Sequence, residues 1–283
     1  MRIFISGTTG FIGSNVMQFL LEGGYNVFGC GRKQITGAND KYISCDLSKK
    51  IPTQKAEIVI HIAGLCPAKE NNFNMYFENN IMATRNIINY AKQQEAKRVI
   101  YIGTLASYGT VDNVLKEDSP HNDPDDYGLT KYVAEKLVKN SGLPYYILYV
   151  PTVVGEGSKN NWIMRAARIM CDNGDVGYYN GHEWFNNIVE VSDLCNFIEL
   201  LLEKNEHKSD TYLLGSKEKT TIKDILLFLK SNLSSTSQLL DNGENGNAFH
   251  LDIEKALLAG FDPKSMNEIL DVVCKEVLKT SKI

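Results

Sequence analysis

Apolar positions along the chain fall into two spacings. Short, nearly unbroken runs occupy residues 2–6 (RIFIS), 25–30, 42–45, 57–62 (EIVIHI) and 98–102 (RVIYI). Runs of that length read as strands buried on both faces. Between them the period changes. Val16, Phe19 and Leu20 share one face of a predicted helix over 14–22, which Gly23-Gly24 stops. Ile81, Thr84, Ile87, Ile88 and Ala91 do the same over 79–93. Strands that alternate with helices predict a parallel sheet with helices on both sides.

The first turn narrows that picture. Gly7-Thr8-Thr9-Gly10-Phe11-Ile12-Gly13 lies between the first strand and the first helix, with its glycines three apart. Strand, glycine turn, helix and strand form a βαβ unit of the kind that holds a dinucleotide. Gly7 allows the sharp turn, Gly10 lets backbone approach a pyrophosphate, and Gly13 lets helix and strand pack closely. Thr9, Phe11 and Ile12 complete the cofactor-binding turn, where N–H groups at the helix start meet negative charge.

Later residues extend the same site. The second strand leads into Gly31-Arg32-Lys33, where an NAD site usually carries an acid. Arg32 and Lys33 suit a 2′-phosphate, so NADP(H) is expected in preference to NAD(H), which stays possible. Asp46, with Leu47 after it, stands at the tip of the third strand; it either meets the adenine amino group or caps the next segment. Ile62, Ala63 and Gly64 supply small residues for a floor beneath a flat cofactor. His61, inside an apolar run, reads as a satisfied core histidine. Asn80 either caps its helix or ties neighbouring backbone together.

Tyr127 and Lys131 are four apart on one predicted helix face. A lysine ammonium beside a phenol favours the phenolate, so the Tyr127 pKa is expected to fall toward neutrality and make it a usable acid–base. Thr104, leaving the C-terminal end of the fifth strand, can hold the same substrate oxygen. Catalysis is therefore assigned to Thr104, Tyr127 and Lys131.

Charge and composition exclude more than they identify. The 283 residues carry a net charge of −4 and no basic cluster beyond Arg32-Lys33, which argues against nucleic-acid binding. No apolar run reaches the roughly eighteen residues that span a membrane. The first strand starts at Met1, so a cytoplasmic protein without a signal peptide is expected. The six cysteines lack metal-ligand spacing and read as reduced core residues, and no metal site is expected. A polar Ser/Asn/Gly-rich stretch covers residues 231–247.

At this point the chain resembles the extended short-chain dehydrogenase/reductase family, in its sugar-nucleotide epimerase/dehydratase/reductase branch. The resemblance rests on Gly7/Gly10/Gly13, on His61-Ile62-Ala63-Gly64, on Gly103-Thr104-Leu105-Ala106-Ser107-Tyr108-Gly109, and on the Tyr127/Lys131 pair. The family places its catalytic Ser or Thr four residues before the Tyr-Gly pair, which picks Thr104 rather than Ser107. Residues 143–148 resemble its sixth strand and 150–155 its loop beside the nicotinamide, which brings in Pro151 and Val153. Residues 187–193, 212–215 and 251–263 match later motifs.

The resemblance implies an α/β fold: a doubly wound Rossmann-type sheet over 1–155, to which 185–215 returns, and a smaller C-terminal substrate lobe mainly within 156–283. It implies a substrate cleft between the lobes and a homodimer packed through helices near 80–91 and 127–139. The activity it implies is NADPH-dependent reduction of a keto group on a nucleotide-linked sugar, in the deoxysugar supply for bacterial surface polysaccharide. Tyr127 would protonate the oxygen, Lys131 tune Tyr127 and hold the ribose, and Thr104 orient the carbonyl. A nucleotide-sugar 4-epimerase, a reductase of another ketone or aldehyde, and a cofactor-binding regulator without chemistry are the alternatives. Departures narrow the choice. Leu105-Ala106 stand where dehydratases carry Asp-Glu, so dehydration is not expected. Tyr149 and Thr152 replace the family's usual Arg and Asn, and Asn186 its diphosphate-clamping Arg. Thr152, Arg165 and Arg168 remain as substrate contacts, the arginines as replacement clamps or plain solvated side chains.

Overall fold

The computed structural model describes residues 1–33, 41–49, 53–159, 161–204, 208–246 and 248–280. The last residue of the polar stretch 231–247 therefore lies outside the described residues.

One sheet organises the N-terminal part. Its strands are β1 (Arg2–Ser6), β2 (Asn26–Gly31), β3 (Tyr42–Ser44), β4 (Ile58–His61), β5 (Arg98–Thr104), β6 (Tyr145–Val150) and β7 (Asp210–Leu213), in the spatial order β7-β6-β5-β4-β1-β2-β3. The pairs β1–β2, β1–β4, β2–β3, β4–β5 and β5–β6 are all parallel; Ile3 stands beside Val27, and Ile5 beside Ile60. The order reverses at β1, the switch point outside which such sheets bind ligands. Ile3, Phe4, Ile5, Val59 and Ile60 are fully buried, which is why these segments read as unbroken apolar runs.

Helices α1 (Phe11–Glu22), α2 (Ala83–Gln93) and α3 (Asp126–Lys139) accompany the sheet. Helix α1 begins before the expected residue 14, because Gly10 is its N-cap and residues 11–13 are already helical. The helix expected over 79–93 is longer and irregular. A turn at Phe73–Tyr76 runs into a π-helical segment, Phe77–Met82, before α2. The wide turn carries Asn80, which is buried. Strand β5 continues past 102 to Thr104.

The chain divides into two compact units. The first holds residues 1–110, 119–150 and 198–212; the second holds 111–118, 151–197 and 213–283. These bounds differ from 1–155 with a return at 185–215, and the pairings give the reason. Thr152–Val154 pairs with Ile188–Glu190, and Asn113–Leu115 with Phe249–Leu251, so 151–155 and 111–118 belong to the second unit. Buried Arg98 explains the narrower return: its Nη1 donates to the Leu201 and Lys204 carbonyls at 2.9 Å, and its guanidinium lies 4.5 Å from the Tyr146 ring centre.

The core of the second unit is helical. Trp162–Cys171, Ile222–Asn232 and Met266–Thr280 bury Ile163, Met164, Leu229, Ile269 and Val273 together. Asn161 and Thr221 cap the first two of these helices by accepting from the Met164 and Asp224 N–H groups. Among the described residues no helix is long and apolar enough to cross a membrane. Four of the cysteines are buried, but Cys66 is exposed, contrary to the expectation that all sit in the core. It lies on the loop leaving β4, where the chain turns out toward solvent.

Candidate active site

The glycine turn has the conformation its sequence asks for. Gly7 has φ +80°, and a Cβ there would stand 2.7 Å from the Ala63 nitrogen. A Cβ on Gly13 would stand 2.2 Å from the Gly7 carbonyl oxygen, so only glycine lets α1 sit this close to the turn. Gly10 differs, since its nearest obstacle is the Gly7 oxygen at 3.4 Å. The outward face of the turn is therefore open. No side chain caps α1 and no acid stands in its first turn. An open turn, a helix start without a competing anion and closely packed glycines fit a dinucleotide pyrophosphate.

The floor next to it is held by one hydroxyl. Ser6 Oγ accepts from the Ile62 N–H at 3.0 Å and the Ala63 N–H at 3.1 Å, and bonds His61 Nδ1 at 2.7 Å. His61 Nε2 bonds Thr84 Oγ1 at 2.9 Å. Burial, with the Lys131 charge, holds the His61 pKa down to about 3. It is the neutral core histidine that the apolar run predicted. Of the two roles open to Asn80, the structure gives the tie. Its Oδ1 accepts from the Leu65 N–H at 2.7 Å, and its Nδ2 donates to Thr130 Oγ1 at 3.1 Å.

At the other edge, Arg32 and Lys33 are exposed beyond β2, and Arg32 Nη1 donates to Asn79 Oδ1 at 3.1 Å. A Cβ on Gly31 would stand 2.8 Å from the Thr9 side chain, so the position admits no carboxylate without displacement. Asp46 accepts from the Ser48 hydroxyl at 2.8 Å and the Ser48 N–H at 3.1 Å, and these bonds hold its pKa low. It thus caps the turn after β3. Leu47 is buried, its carbonyl accepting from Asn86.

Thr104 ends β5, and its hydroxyl lies within hydrogen-bonding reach of the Tyr127 phenol. Ser107 is instead buried, donating to the Thr104 carbonyl at 2.8 Å. Tyr127 opens α3, which Asp125 caps by accepting from the Gly128 N–H at 2.7 Å. Gly128, which spacing alone did not single out, is required: a Cβ there would meet the Ala106 oxygen at 2.1 Å. The glycine directly after the tyrosine was its signal. Two other neighbours were also missed. The Tyr76 ring centre lies 5.8 Å from that of Tyr127, and Cys66 couples electrostatically to both Tyr127 and Lys131.

Lys131 is buried. Its Nζ donates to the Ile102 carbonyl at 2.9 Å and lies 4.4 Å from the Tyr101 ring centre. Burial lowers its pKa to about 8, with the Cys66 and Glu135 charges pulling the other way. The lowered phenol expected of the Tyr/Lys pair is not what the structure holds. Burial first, then the Cys66 charge, pushes the Tyr127 pKa up, and the Thr104 hydroxyl offsets this in part. The Lys131 ammonium is aimed at a backbone carbonyl rather than at the phenol, which is the physical reason.

Pro151, Thr152, Val153, Arg165 and Arg168 fall in the second unit. Arg168 is used internally, Nη1 donating to the Lys159 carbonyl at 2.6 Å and Nη2 to that of Ser158 at 3.2 Å. Arg165 is exposed. Asn186 spends its amide on Leu251, donating to its carbonyl at 3.0 Å and accepting from its N–H at 2.7 Å. Among the described residues no group of three His, Cys, Asp or Glu side chains is arranged to hold a metal.

A glycine turn at a parallel switch point, with Thr104 at a strand end and Tyr127 and Lys131 on the helix α3, defines a nucleotide-dependent α/β enzyme. The profile of the NAD dependent epimerase/dehydratase family matches residues 3–215, and the chain belongs to that family. It is an enzyme of the extended short-chain dehydrogenase type. A UDP-glucose 4-epimerase of Vibrio cholerae is 28% identical over 75% of this chain and 70% of its own. The fold matches MoeE5 in complex with UDP-glucose and NAD, with TM-score 0.85 and 22% identity, covering 99% of this chain and 100% of that one. It also matches UDP-glucuronic acid 4-epimerase from Bacillus cereus with NAD, with TM-score 0.84 and 24% identity, covering 99% of each chain.

Proposed function

We propose that this protein is a nucleotide-sugar 4-epimerase. The relatives above favour this over net keto reduction, the reading first drawn from sequence. One observation carries it. The loop after β4 joins the glycine turn to the catalytic lysine, since Ala63 packs against Gly7 and a Cβ on Gly64 would stand 3.8 Å from Lys131 Nζ. The cofactor turn and the acid–base set are thus parts of one site in the first unit.

Gly7, Gly10 and Gly13 with the start of α1 would hold the pyrophosphate, and Ile62, Ala63 and Gly64 would lie under the nicotinamide. The bound nicotinamide supplies a reversible hydride acceptor and, when oxidised, a positive charge. Ionised Tyr127 would take the proton from the sugar 4-hydroxyl as C4 gives up hydride, and would return it to the 4-keto oxygen as C4 regains hydride on its other face. Thr104 holds that oxygen. Lys131 donates to the ribose hydroxyls and adds positive potential beneath Tyr127. A phenol whose pKa burial has raised needs that charge to ionise, so deprotonation is coupled to the oxidised cofactor. Leu105 and Ala106 keep carboxylates away from the sugar, so water loss is not catalysed.

Gly31, Arg32 and Lys33 favour a second reading, an NADPH-dependent keto-sugar reductase with the same triad. In either case UDP-linked hexoses or hexuronic acids destined for surface polysaccharide are the substrate class, and the cytoplasm is the compartment. A homodimer belongs to the same reading. Phe73, Met75, Phe77 and Leu129 expose large apolar side chains beside the helices assigned to it. The test is incubation of purified protein with UDP-glucose or UDP-glucuronic acid and substoichiometric NAD, followed by NMR. Conversion to the 4-epimer without net cofactor reduction supports epimerisation. NADPH consumption in step with loss of a UDP-4-keto-sugar supports the reductase. Neither reaction with any such sugar overturns both.

A further inference from the structure

The catalytic helix carries a buried acid that the mechanism above does not use. Glu135 lies on α3 one turn beyond Lys131 and is 1% exposed. Buried carboxylates are rare unless paired, and its ion-pair partner is Lys139, one further turn along, with Nζ–Oε1 at 2.6 Å. Lys139 keeps 26% of its side chain exposed, so its charge is shared with water. The row along α3 is therefore Lys131, Glu135, Lys139: two cations flanking one acid, two of the three buried.

The other surroundings of Lys131 and Glu135 are aromatic rings, an imidazole, an amide and the Cys66 thiol. Strand β5 presents the Tyr101 ring, on which the Lys131 ammonium rests, and among the described residues the Tyr101 hydroxyl makes no hydrogen bond. Strand β6 presents Tyr149 and the turn after β5 presents Tyr108, with ring centres 5.1 Å apart. Burial first, then the Glu135 charge, raises the Tyr149 pKa, so Tyr149 stays a phenol across the working range. From β4 comes neutral His61, from the loop after it Cys66, from the π-helical turn Asn80, and from α3 itself Tyr127. Glu135 is thus the buried carboxylate in the surroundings of Lys131, and in a dry interior one charge acts over a helical turn with little screening.

We propose that Glu135 is a positioning residue for this site: its carboxylate keeps the buried Lys131 in the ammonium form that holds cofactor ribose, and Lys139 tempers that effect. The inference rests on the catalytic reading of Lys131. Burial brings the Lys131 pKa down toward the working range, and Cys66 and Glu135 act in the opposite direction; of these two, Glu135 is the carboxylate. Without it the lysine would lose its proton closer to neutral pH, and with it the helix start and the phenol would lose a cation.

The experiment is NADH binding by the full-length protein, followed by nicotinamide fluorescence from pH 6 to 10 for wild type, Glu135→Gln, Glu135→Asp and Lys139→Met. Wild type is expected to lose affinity along an alkaline limb set by Lys131. Glu135→Gln should move that limb toward acid by about one pH unit, a tenfold loss of affinity within that interval, and Glu135→Asp should restore most of it. Lys139→Met removes the opposing cation and should move the limb the other way. It leaves the buried acid in place and changes a half-exposed side chain, so it reads the same coupling even if Glu135→Gln does not fold. A limb that stays put in Glu135→Gln, or in Lys139→Met if that is the folded variant, overturns the proposal while leaving the enzyme assignment standing. Absence of NADH binding in folded wild type overturns the proposal together with the cofactor reading on which it rests.

Discussion

Two lysines, Lys131 buried in the first unit and Lys264 half-buried in the second, show how differently this chain treats a cation drawn in from solvent. Lys264, in the second unit, sits among its counter-charges. Its Nζ lies 2.6 Å from Asp193 Oδ1, 3.1 Å from Glu190 Oε2 and 2.8 Å from Ser192 Oγ. Burial pulls its pKa down, but the bonds to Asp193 and Glu190 outweigh burial and the pKa ends above the usual value. Lys131, in the first unit, rests on a neutral ring and one carbonyl, and burial prevails. The first arrangement consumes its charges in holding Lys264 to the start of the helix Val191–Glu203. The second leaves most of the ammonium's bonding capacity for something that is not protein. A perturbed lysine beside the loop that packs on the glycine turn is the more informative of the two, since structural ion pairs perturb pKa values as well.

The largest effect that sharpens this contrast is on Tyr127. If Lys131 is held for chemistry, Tyr127→Phe should lower turnover by about a thousandfold, within the range of acid–base contributions. NADH affinity should stay near wild type, because the ring and the lysine remain. Steady-state rates and a fluorescence titration measure both, and near-normal turnover in Tyr127→Phe would remove the catalytic assignment.

Next comes the region expected to be structural. Lys264→Met strands the two acids it neutralises, Asp193 at 3% and Glu190 at 7% exposure. Removing one partner of a buried pair costs about 3–5 kcal/mol; the Lys264 side chain is 32% exposed, so about 2–3 kcal/mol is expected. Urea unfolding should show that loss while NADH still binds. The contrast breaks if stability is unchanged, or if cofactor affinity falls with stability intact.

How much of this could be read from sequence follows from which forces act locally. The central strands β1, β4 and β5 were legible because they are buried on both faces, and Gly7 and Gly13 because backbone contacts at 2.2–2.7 Å exclude any side chain. Tyr127 and Lys131 were legible as a spacing, but their electrostatics were not. The direction of the Lys131 ammonium depends on the Ile102 carbonyl, set by a strand far away in sequence. The π-helical turn around Asn80 was equally invisible, since its stabilising bonds go to Leu65 and Thr130. Unit boundaries failed for the same reason: 111–118 joins the second unit through pairing with residues 249–251. Arg168 looked like a replacement for the diphosphate clamp missing at Asn186, and the structure commits both to backbone, Arg168 to Lys159 and Ser158 and Asn186 to Leu251.

The smallest effect concerns a third cation, Arg32, whose side-chain partner among the described residues is the neutral Asn79 amide rather than an acid. In that respect it belongs with Lys131 and not with Lys264. Position 31 reinforces the point, because a Cβ there would crowd the Thr9 and Tyr42 side chains, so a carboxylate to accept from an adenosine ribose would have to displace them. A 2′-phosphate brings about two negative charges to Arg32 and Lys33, and a well-formed charge-assisted hydrogen bond contributes roughly 1.5–3 kcal/mol. Both side chains are exposed and salt screens them, so the lower end applies, about tenfold in affinity. NADPH should therefore bind about tenfold more tightly than NADH. Arg32→Ala should weaken NADPH by about the same factor and leave NADH almost unchanged, because a 2′-hydroxyl gives the guanidinium little to hold. Paired titrations of wild type and variant at two salt concentrations decide it. Tighter NADH binding by wild type, or an equal loss for both cofactors in the variant, would show that Arg32 does not read the phosphate. It would also remove the observation that favours the reductase over the epimerase.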